Sequence, residues 1–565
     1  MPTMNKAIAP LRKSNRISPT RTESTQQIPV PSIVRYINLL YDKFVNLDDF
    51  LGANGRHFDS VFAVLEVLEM APQTYQAYHL SCSVKAAWIN HFAVSVVVLR
   101  ALTTSLSHGL TRGKRGRRRL FVLVFDMWLD FACVVIVPMF ISYPYVVASF
   151  NWKQNGFDPR LIYNETWVAS AIAEGRYVLV TSWIDLITSL IPHVGILSCL
   201  SMLKSLIFRC DESDVIQPSI AKQYPPPPVP VSATKRMRYI HKLLNIFVVG
   251  WGVAVLGIHV IAQRAMNNSI PPCKLILGAW FVTNVSCAVI QFNCYRLGYD
   301  GNAEFATTVL AQLERSIVVK ITFAHCPALE IPDILNEFSR FYDMDIYNST
   351  LVDWPASASI NRDRHPKFDH LYLFATNMSA FPAGILHGAL PSPFNKLAFY
   401  RTNLSVIPPS LGDHWSEQEW LVMYFEFNQI TSIPDSFSQI RTNQLFINSN
   451  QITSLPDNLL EHMSLTHLHL SEPLLDHLPT IPPVGFSSKL KQLRVEHTHV
   501  SELPVWISTW PDKPLVVDAS LYGSTVCQTP AFTSSDSHHA PYCTTDAHSD
   551  KGATSYWAYV AERPL

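Results

Sequence analysis

Net charge is missing from this chain: 44 lysines and arginines meet 44 aspartates and glutamates across 565 residues. Global attraction to a polyanion is therefore absent, and nucleic acid is not an expected partner. Charged residues of either sign are also few, at 16% against 48% hydrophobic, which is unusual for a soluble protein of this length. The first 30 residues lack the apolar core of a cleavable signal peptide; Lys6, Arg12, Lys13, Arg16 and Arg21 stand there among Ser, Thr and Pro. Entry into the secretory pathway then falls to an internal hydrophobic helix. Catalytic signatures are missing too: no glycine-rich phosphate loop, no H-E-x-x-H, no G-x-S-x-G and no kinase motif set. No cysteine pair has zinc-ribbon spacing. No enzyme, cofactor or metal is expected.

What is present divides the chain. Residues 1–57 read as a basic, largely disordered cytosolic tail. Residues 58–262 read as an α-helical membrane domain. Its candidate spans are Phe58 to about Leu80, which carries Glu66 and Glu69, and Trp88 to Leu106, which carries His91 and Arg100. Three stronger ones follow: Leu120 to about Val147, bent by Pro138 and Pro144; Tyr177 to Phe208, interrupted by Pro192; and Leu243 to Ala262. The bundle has four transmembrane helices, or five if the Phe58 segment crosses.

Two basic segments orient it. Arg112 to Arg119 holds six basic residues in eight, and the linker 209–242 holds Lys235, Arg236, Arg238 and Lys242 after a Pro225–Pro228 run. The positive-inside rule places 107–119 and 209–242 in the cytosol, with 151–176 and everything after 263 outside. Six Asn-X-Ser/Thr glycosylation sites agree: Asn164, Asn267, Asn284, Asn348, Asn377 and Asn403 all fall in segments placed outside. The N-terminus is cytosolic if the Phe58 segment crosses, and the expected location is the plasma membrane.

From about Val318 to Pro504 one pattern recurs eight times. Its clearest copies begin at Trp420 (Trp-Leu-Val-Met-Tyr-Phe-Glu-Phe-Asn-Gln-Ile-Thr-Ser-Ile-Pro434) and Thr442 (Thr-Asn-Gln-Leu-Phe-Ile-Asn-Ser-Asn-Gln-Ile-Thr-Ser-Leu-Pro456). Apolar residues fall at the fourth, sixth and fourteenth positions, usually also the eleventh, and proline at the fifteenth. Those prolines, Pro332, Pro355, Pro382, Pro408, Pro434, Pro456, Pro479 and Pro504, lie 22 to 27 residues apart. The pattern resembles the leucine-rich repeat family. That resemblance implies an α/β solenoid over 317–513, a horseshoe of parallel strands following the helical membrane bundle. The layout also resembles a group of polytopic membrane leucine-rich repeat proteins of oomycete type, notably at Gln73-Thr-Tyr-Gln-Ala-Tyr78 and Ile346-Tyr-Asn-Ser-Thr-Leu-Val-Asp-Trp354.

The family's asparagine position carries Cys326, Ser349, Thr376, Thr402, Asn428, Asn450, Pro473 and Thr498. Six are polar side chains able to bond the backbone turn. Pro473 is not, so an irregular seventh copy is expected.

Leu275 to Phe292 is apolar enough for a further span, which would turn the repeats inward. Asn284, Gln291 and Asn293, with Cys273, Cys287 and Cys294 around it, favour instead an N-terminal cap over 263–316, since solenoids need covered ends. Outside the membrane, Cys273, Cys287, Cys294, Cys326, Cys527 and Cys543 are disulfide candidates. Cys527 and Cys543 are expected to pair in a C-terminal cap over 514–565; the connectivity of the other four is open.

Side chains alternate across a strand, so Tyr347, Phe374 and Tyr400 at one position, with Tyr372, Tyr424 and Phe446 two residues earlier in their copies, should face the concavity. They form the candidate ligand-binding face for an extracellular protein or peptide, or a ladder that only stabilises the sheet. His467, His469, Glu472, Arg494, Glu496, His497 and His499 on later copies read as solvated polar positions.

Asp126, Asp130 and Asp185 are acids inside spans and could line a cation or proton path. The favoured function is extracellular recognition, receptor-like or adhesive, relayed by a signalling co-receptor. The cytosolic pieces are too short to bury a catalytic core. A channel or transporter, or a structural surface protein, are the other readings.

Overall fold

The structure, a computed structural model, describes residues 58–529 and Cys543, apart from 111–114, 154, 159–160, 162–163, 214–230, 267–269, 472–473, 484–489 and 509–517. The basic tail, the centres of both basic segments, Asn267, Glu472 and Pro473 lie outside the described residues.

The helical half contains α1 (Phe58–Ser81), α2 (Ala87–Leu110), α3 (Arg115–Phe131), α4 (Glu165–Val178), α5 (Trp183–Ser213) and α6 (Val231–Ala265). Beyond α3 the chain stays helical to Ser149, through wide turns at Ala132–Ile136 and Pro144–Ser149. Pro138 and Pro144 account for them: each lacks an N–H and crowds the preceding turn, and a wide turn absorbs both defects without ending the helix.

Packing puts α1 in the middle, against α2, α5 and α6, while α2 also meets α3 and α6. The flanking helices expose apolar stripes, with Ile184, Ile187, Leu190, Val194 and Leu197 on α5 and Ile246, Val253, Val260 and Ile261 on α6. A continuous apolar belt of this kind fits lipid rather than water.

Three segments are long and apolar enough to cross a bilayer: Arg117–Ser149, Trp183–Leu203 and Lys242–Ala265, with Ala87–Thr103 a shorter apolar one. Length and composition alone thus fall short of the expected four or five. The physical reason lies in α1, whose Glu66, Glu69 and Gln73 are buried against neighbouring helices. Those polar side chains lower the mean hydropathy of α1, although its Val64 and Leu68 stay exposed.

The second half is an eleven-stranded sheet whose strands follow chain order. They are β1 (Cys273–Ile276), β2 (Cys287–Asn293), β3 (Lys320–Ala324), β4 (Asp343–Tyr347), β5 (His370–Phe374), β6 (Lys396–Tyr400), β7 (Val422–Glu426), β8 (Gln444–Phe446), β9 (His467–His469), β10 (Gln492–Arg494) and β11 (Asp518–Ser520). The sheet is not parallel throughout. β1 runs antiparallel to β2, and the remaining pairs are parallel. The apolar segment from Leu275 to Phe292 is therefore the end of a sheet and not a helix.

Each repeat folds for a local reason. Ile321 and Phe323, Met344 and Ile346, Leu371 and Leu373, Leu397 and Phe399, and Met423 and Phe425 point inward at 0% exposure, in register across the sheet. A left-handed residue follows β3 to β7 directly and β8 and β10 three residues on: His325, Asn348, Ala375, Arg401, Phe427, Ser449 and His497 have φ between 45° and 57°. None is glycine, so the turn must be held from outside. The next residue supplies the hold. Thr376 Oγ1 donates to the carbonyls of Ile346 and Phe374 at 3.1 Å, Asn428 Nδ2 to Phe399 at 2.9 Å, and Asn450 Nδ2 to Phe425 at 2.8 Å. Pro332, Pro355, Pro382 and Pro434 then open short 3₁₀ turns on the convex side, where a fixed φ and a missing N–H cost nothing.

The two halves share a core. Ala169 of α4 packs with Leu275, Leu277, Ala279, Ala288, Val289 and Ile317 of the sheet's first end. Trp280 packs among Ala77, Val94, Val97, Val255 and Ala262 of the bundle, and its backbone N–H donates to Ser81 Oγ at 3.3 Å.

Candidate functional site

The six concave aromatics come together, but not as an open face. Phe374 and Tyr400 stack at 5.4 Å between centroids, and Tyr424 and Phe446 at 4.6 Å. Gln291 Nε2 donates to the Tyr347 hydroxyl at 3.1 Å. Tyr347, Phe374, Tyr400 and Phe446 are 6%, 4%, 1% and 8% exposed, whereas Tyr372 and Tyr424 are half-buried. Four of the six rings therefore act as a ladder. The cause is geometric: parallel strands about 4.8 Å apart bring in-register rings to stacking distance, where they cover one another. The guanidinium of Arg401 lies over Tyr400 at 5.8 Å and Phe427 at 5.5 Å. What remains open is a smaller patch of Tyr372, Tyr424, Arg401 and Phe427.

Beyond the ladder the same outward row turns acidic. Glu426 is buried, accepts from Asn448 Nδ2 at 2.6 Å, and its Oε2 has no hydrogen-bond partner. Burial, offset in part by the Asn448 bond, pushes its carboxyl up to about 7. At the strand starts Lys320, Asp343, His370 and Lys396 stand in register. Lys320 pairs with Asp343 at 2.8 Å, and Tyr342 donates its hydroxyl to Asp369 at 2.8 Å. Burial pushes the Asp369 carboxyl up, but the His370 bond and charge, Lys396 and Tyr342 outweigh it and hold it below the usual range. Arg176 of α4 lies over the Tyr342 ring at 5.1 Å, a second tie between the halves. The later histidines gather into no metal-ligating group among the described residues.

Of the glycosylation sites, Asn284, Asn348 and Asn377 are exposed and Asn403 is half-buried. Asn348 and Asn377 line a groove of about 1280 Å³ with His325, Tyr295 and Asp300, at the rim where the first repeats meet the cap. Asn164 caps α4, its side chain accepting from Trp167 N at 3.2 Å.

The cysteines pair as Cys273–Cys287, Cys294–Cys326 and Cys527–Cys543. The cysteine at the first copy's asparagine position thus ties that repeat to the end of β2.

The three intramembrane acids are not one set. Asp185 sits in the first turn of α5, bonded by Ser182, Thr181 and Tyr75. Asp126 and Asp130 lie elsewhere, around Arg100 of α2. Two members of this group were visible in the sequence only as charges weakening a span: Glu69 and Arg100, which pair with each other.

No family model and no curated protein matches the chain. Among solved structures it is similar to an octameric complex of Latrophilin 3, Unc5D and FLRT2 in which FLRT2 supplies a leucine-rich repeat domain. That match has 18% identity and a TM-score of 0.29, over 37% of this chain and 61% of that chain. It is similar also to the leucine-rich repeat domain of the type III effector XopL, at 13% identity and a TM-score of 0.30, over 46% of this chain and 88% of that chain. The class defined by the coordinates themselves is a helical membrane-type bundle fused to a solenoid-like stack of leucine-rich-repeat geometry.

Proposed function

We propose that this chain is a multi-pass plasma-membrane protein whose repeat array faces outward and recognises a protein or peptide, with five helices crossing. α1 ends at the end of the bundle that carries the repeats, where Trp280 N–H meets Ser81 Oγ, and α5 begins beside it, since Tyr75 reaches Asp185 at 3.4 Å. The basic segments then belong to the opposite, cytosolic end, and the glycosylation sites to the outer one. The single observation that carries recognition is that Tyr372 and Tyr424 stay half-open on the packed aromatic ladder, with Arg401 over the neighbouring Tyr400 and Phe427. Rigid aromatics next to an arginine are the composition of a binding hot spot.

The test uses the full chain on cells, because the repeats share a core with the bundle. Tyr372→Ser with Tyr424→Ser should abolish cell-surface binding or adhesion while surface expression stays at the wild-type level. Undiminished adhesion would sink the recognition face. Protease treatment of intact cells, followed by glycosidase on the extract, checks orientation: a protected, unglycosylated C-terminus would turn the repeats inward.

A further inference from the structure

Arg100 is 0% exposed between acids of two neighbouring helices. Its guanidinium takes one oxygen from each: Glu69 Oε2, Asp126 Oδ1 at 3.1 Å, and Asp130 Oδ1. The second oxygen of each carboxyl is left outside that pairing. For Asp130 this is Oδ2, which has no hydrogen-bond partner. For Asp126 it is Oδ2, faced by the weak thiol donor of Cys199 at 3.7 Å. For Glu69 it is Oε1, which converges with Asp130 Oδ2 on Gly195 of α5; a Cβ there would lie 2.6 and 2.7 Å from the two oxygens. One oxygen of each acid lies within 4.8 Å of one from each of the others.

A fourth oxygen comes from an amide rather than an acid. Gln73, 1% exposed, donates Nε2 to Asp130 Oδ1 at 2.8 Å, and its Oε1 has no partner. This buried, unsatisfied acceptor is an observation independent of the acids, and its amide already touches their cluster.

Charge sets what is needed. Three carboxylates against one guanidinium leave two negative charges in a bundle interior, where uncompensated ions are costly. Two positive charges must join them. Hard cations of the calcium or manganese type take carboxylate and amide oxygens at about 2.3–2.6 Å, so oxygens around one such ion lie up to roughly twice that apart. The spacing and the donor chemistry meet both conditions.

We propose that Glu69, Asp126, Asp130 and Gln73 bind a single hard divalent cation between α1, α3 and α5. Arg100 orients the three carboxyls through one oxygen of each, sharing Asp130 Oδ1 with the Gln73 amide, and Gly195 keeps the α5 face clear. A mainly apolar cavity of about 400 Å³, which Glu69, Asp126, Gly195, Ser198 and Cys199 also line, adjoins the site.

The experiment titrates the full-length protein in detergent micelles with Mn²⁺ and follows free ion by electron paramagnetic resonance. Wild type should retain one Mn²⁺ per chain, displaced by Ca²⁺, with a Mn²⁺-dependent rise in Tm. Asp130→Asn and Gly195→Ala should each weaken binding about tenfold or more. Folded wild type that retains no Mn²⁺ overturns the proposal whatever the variants do. So does undiminished Mn²⁺ binding by folded Asp130→Asn.

Discussion

Trp280, between the first two strands of the sheet, donates its indole N–H to Nδ1 of His259 on α6 at 3.4 Å. Because Nδ1 accepts, the proton of neutral His259 sits on Nε2, which faces His91 Nδ1 at 2.7 Å. One indole thus fixes the tautomer of a histidine pair between α2 and α6. Trp280 is 1% exposed, and removing such a side chain costs roughly 3–5 kcal/mol. Trp280→Ala should lower the Tm and open the junction to protease between the bundle and β2. A wild-type cleavage pattern and Tm would show that the contact holds nothing.

Glu426 predicts a pH dependence with a definite sign. Its folded carboxyl, pushed up to about 7, binds a proton more tightly than the unfolded one near 4.5. Its contribution is therefore most favourable at acid pH and declines as pH rises from about 4.5 to about 7, by an amount of order ~3 kcal/mol. Glu426→Gln should remove that decline, so its Tm advantage over wild type grows between pH 5 and pH 8. Parallel Tm curves for the two proteins across that range would refute the assignment.

Cys294–Cys326 joins the end of β2 to the first repeat across 32 residues. Loop-closure entropy assigns such a bridge about 3–4 kcal/mol. Cys326→Ser should therefore destabilise the first repeats, seen as faster amide hydrogen exchange in β3 and β4 with β8 unchanged. Exchange that rises evenly along the array would argue against a local role.

Gly412 marks a contact between consecutive repeats. A Cβ there would lie 1.6 Å from the carbonyl oxygen of Ser436, which is backbone and cannot rotate away. Gly412→Ala should cost at least the ~1–3 kcal/mol typical of overpacking, measured as a fall in Tm. Retained stability would mean that the two repeats separate freely.

Tyr400 and Tyr424 should part company under substitution. Tyr400→Ala empties a fully packed rung of the ladder and should lower the Tm. Tyr424→Ser, which loses a half-buried ring stacked on Phe446, should lower the Tm less than Tyr400→Ala and reduce adhesion. Equal effects on both readouts would erase the distinction between ladder and open patch.

The repeats were legible because their signal is redundant: an apolar pair, a polar anchor and a proline recur in phase. Buried rings were not. Phe374 and Tyr400 alternate outward as expected, but whether an outward ring is covered depends on its neighbours in register, here each other and Arg401. Ser349, Thr376, Asn428 and Asn450 bond the backbone as read, whereas Thr402 donates to Asn428 Oδ1, Thr498 donates to Ser524 Oγ, and Cys326 is taken by Cys294. In the helical half, Glu69 and Arg100 looked like defects in two separate helices. Their meaning is pairwise, and no single-helix reading of apolar length can show that an acid and a base cancel across a helix interface. Gln73 carried no signal of its own for the same reason.

The shared core at Ala169, Leu277 and Trp280 leaves no swivel between horseshoe and bundle. A tethered binding domain absorbs a pull in its linker. Here a load on the repeat sheet would reach α1, α4 and α6 directly through the packing around β1 and β2.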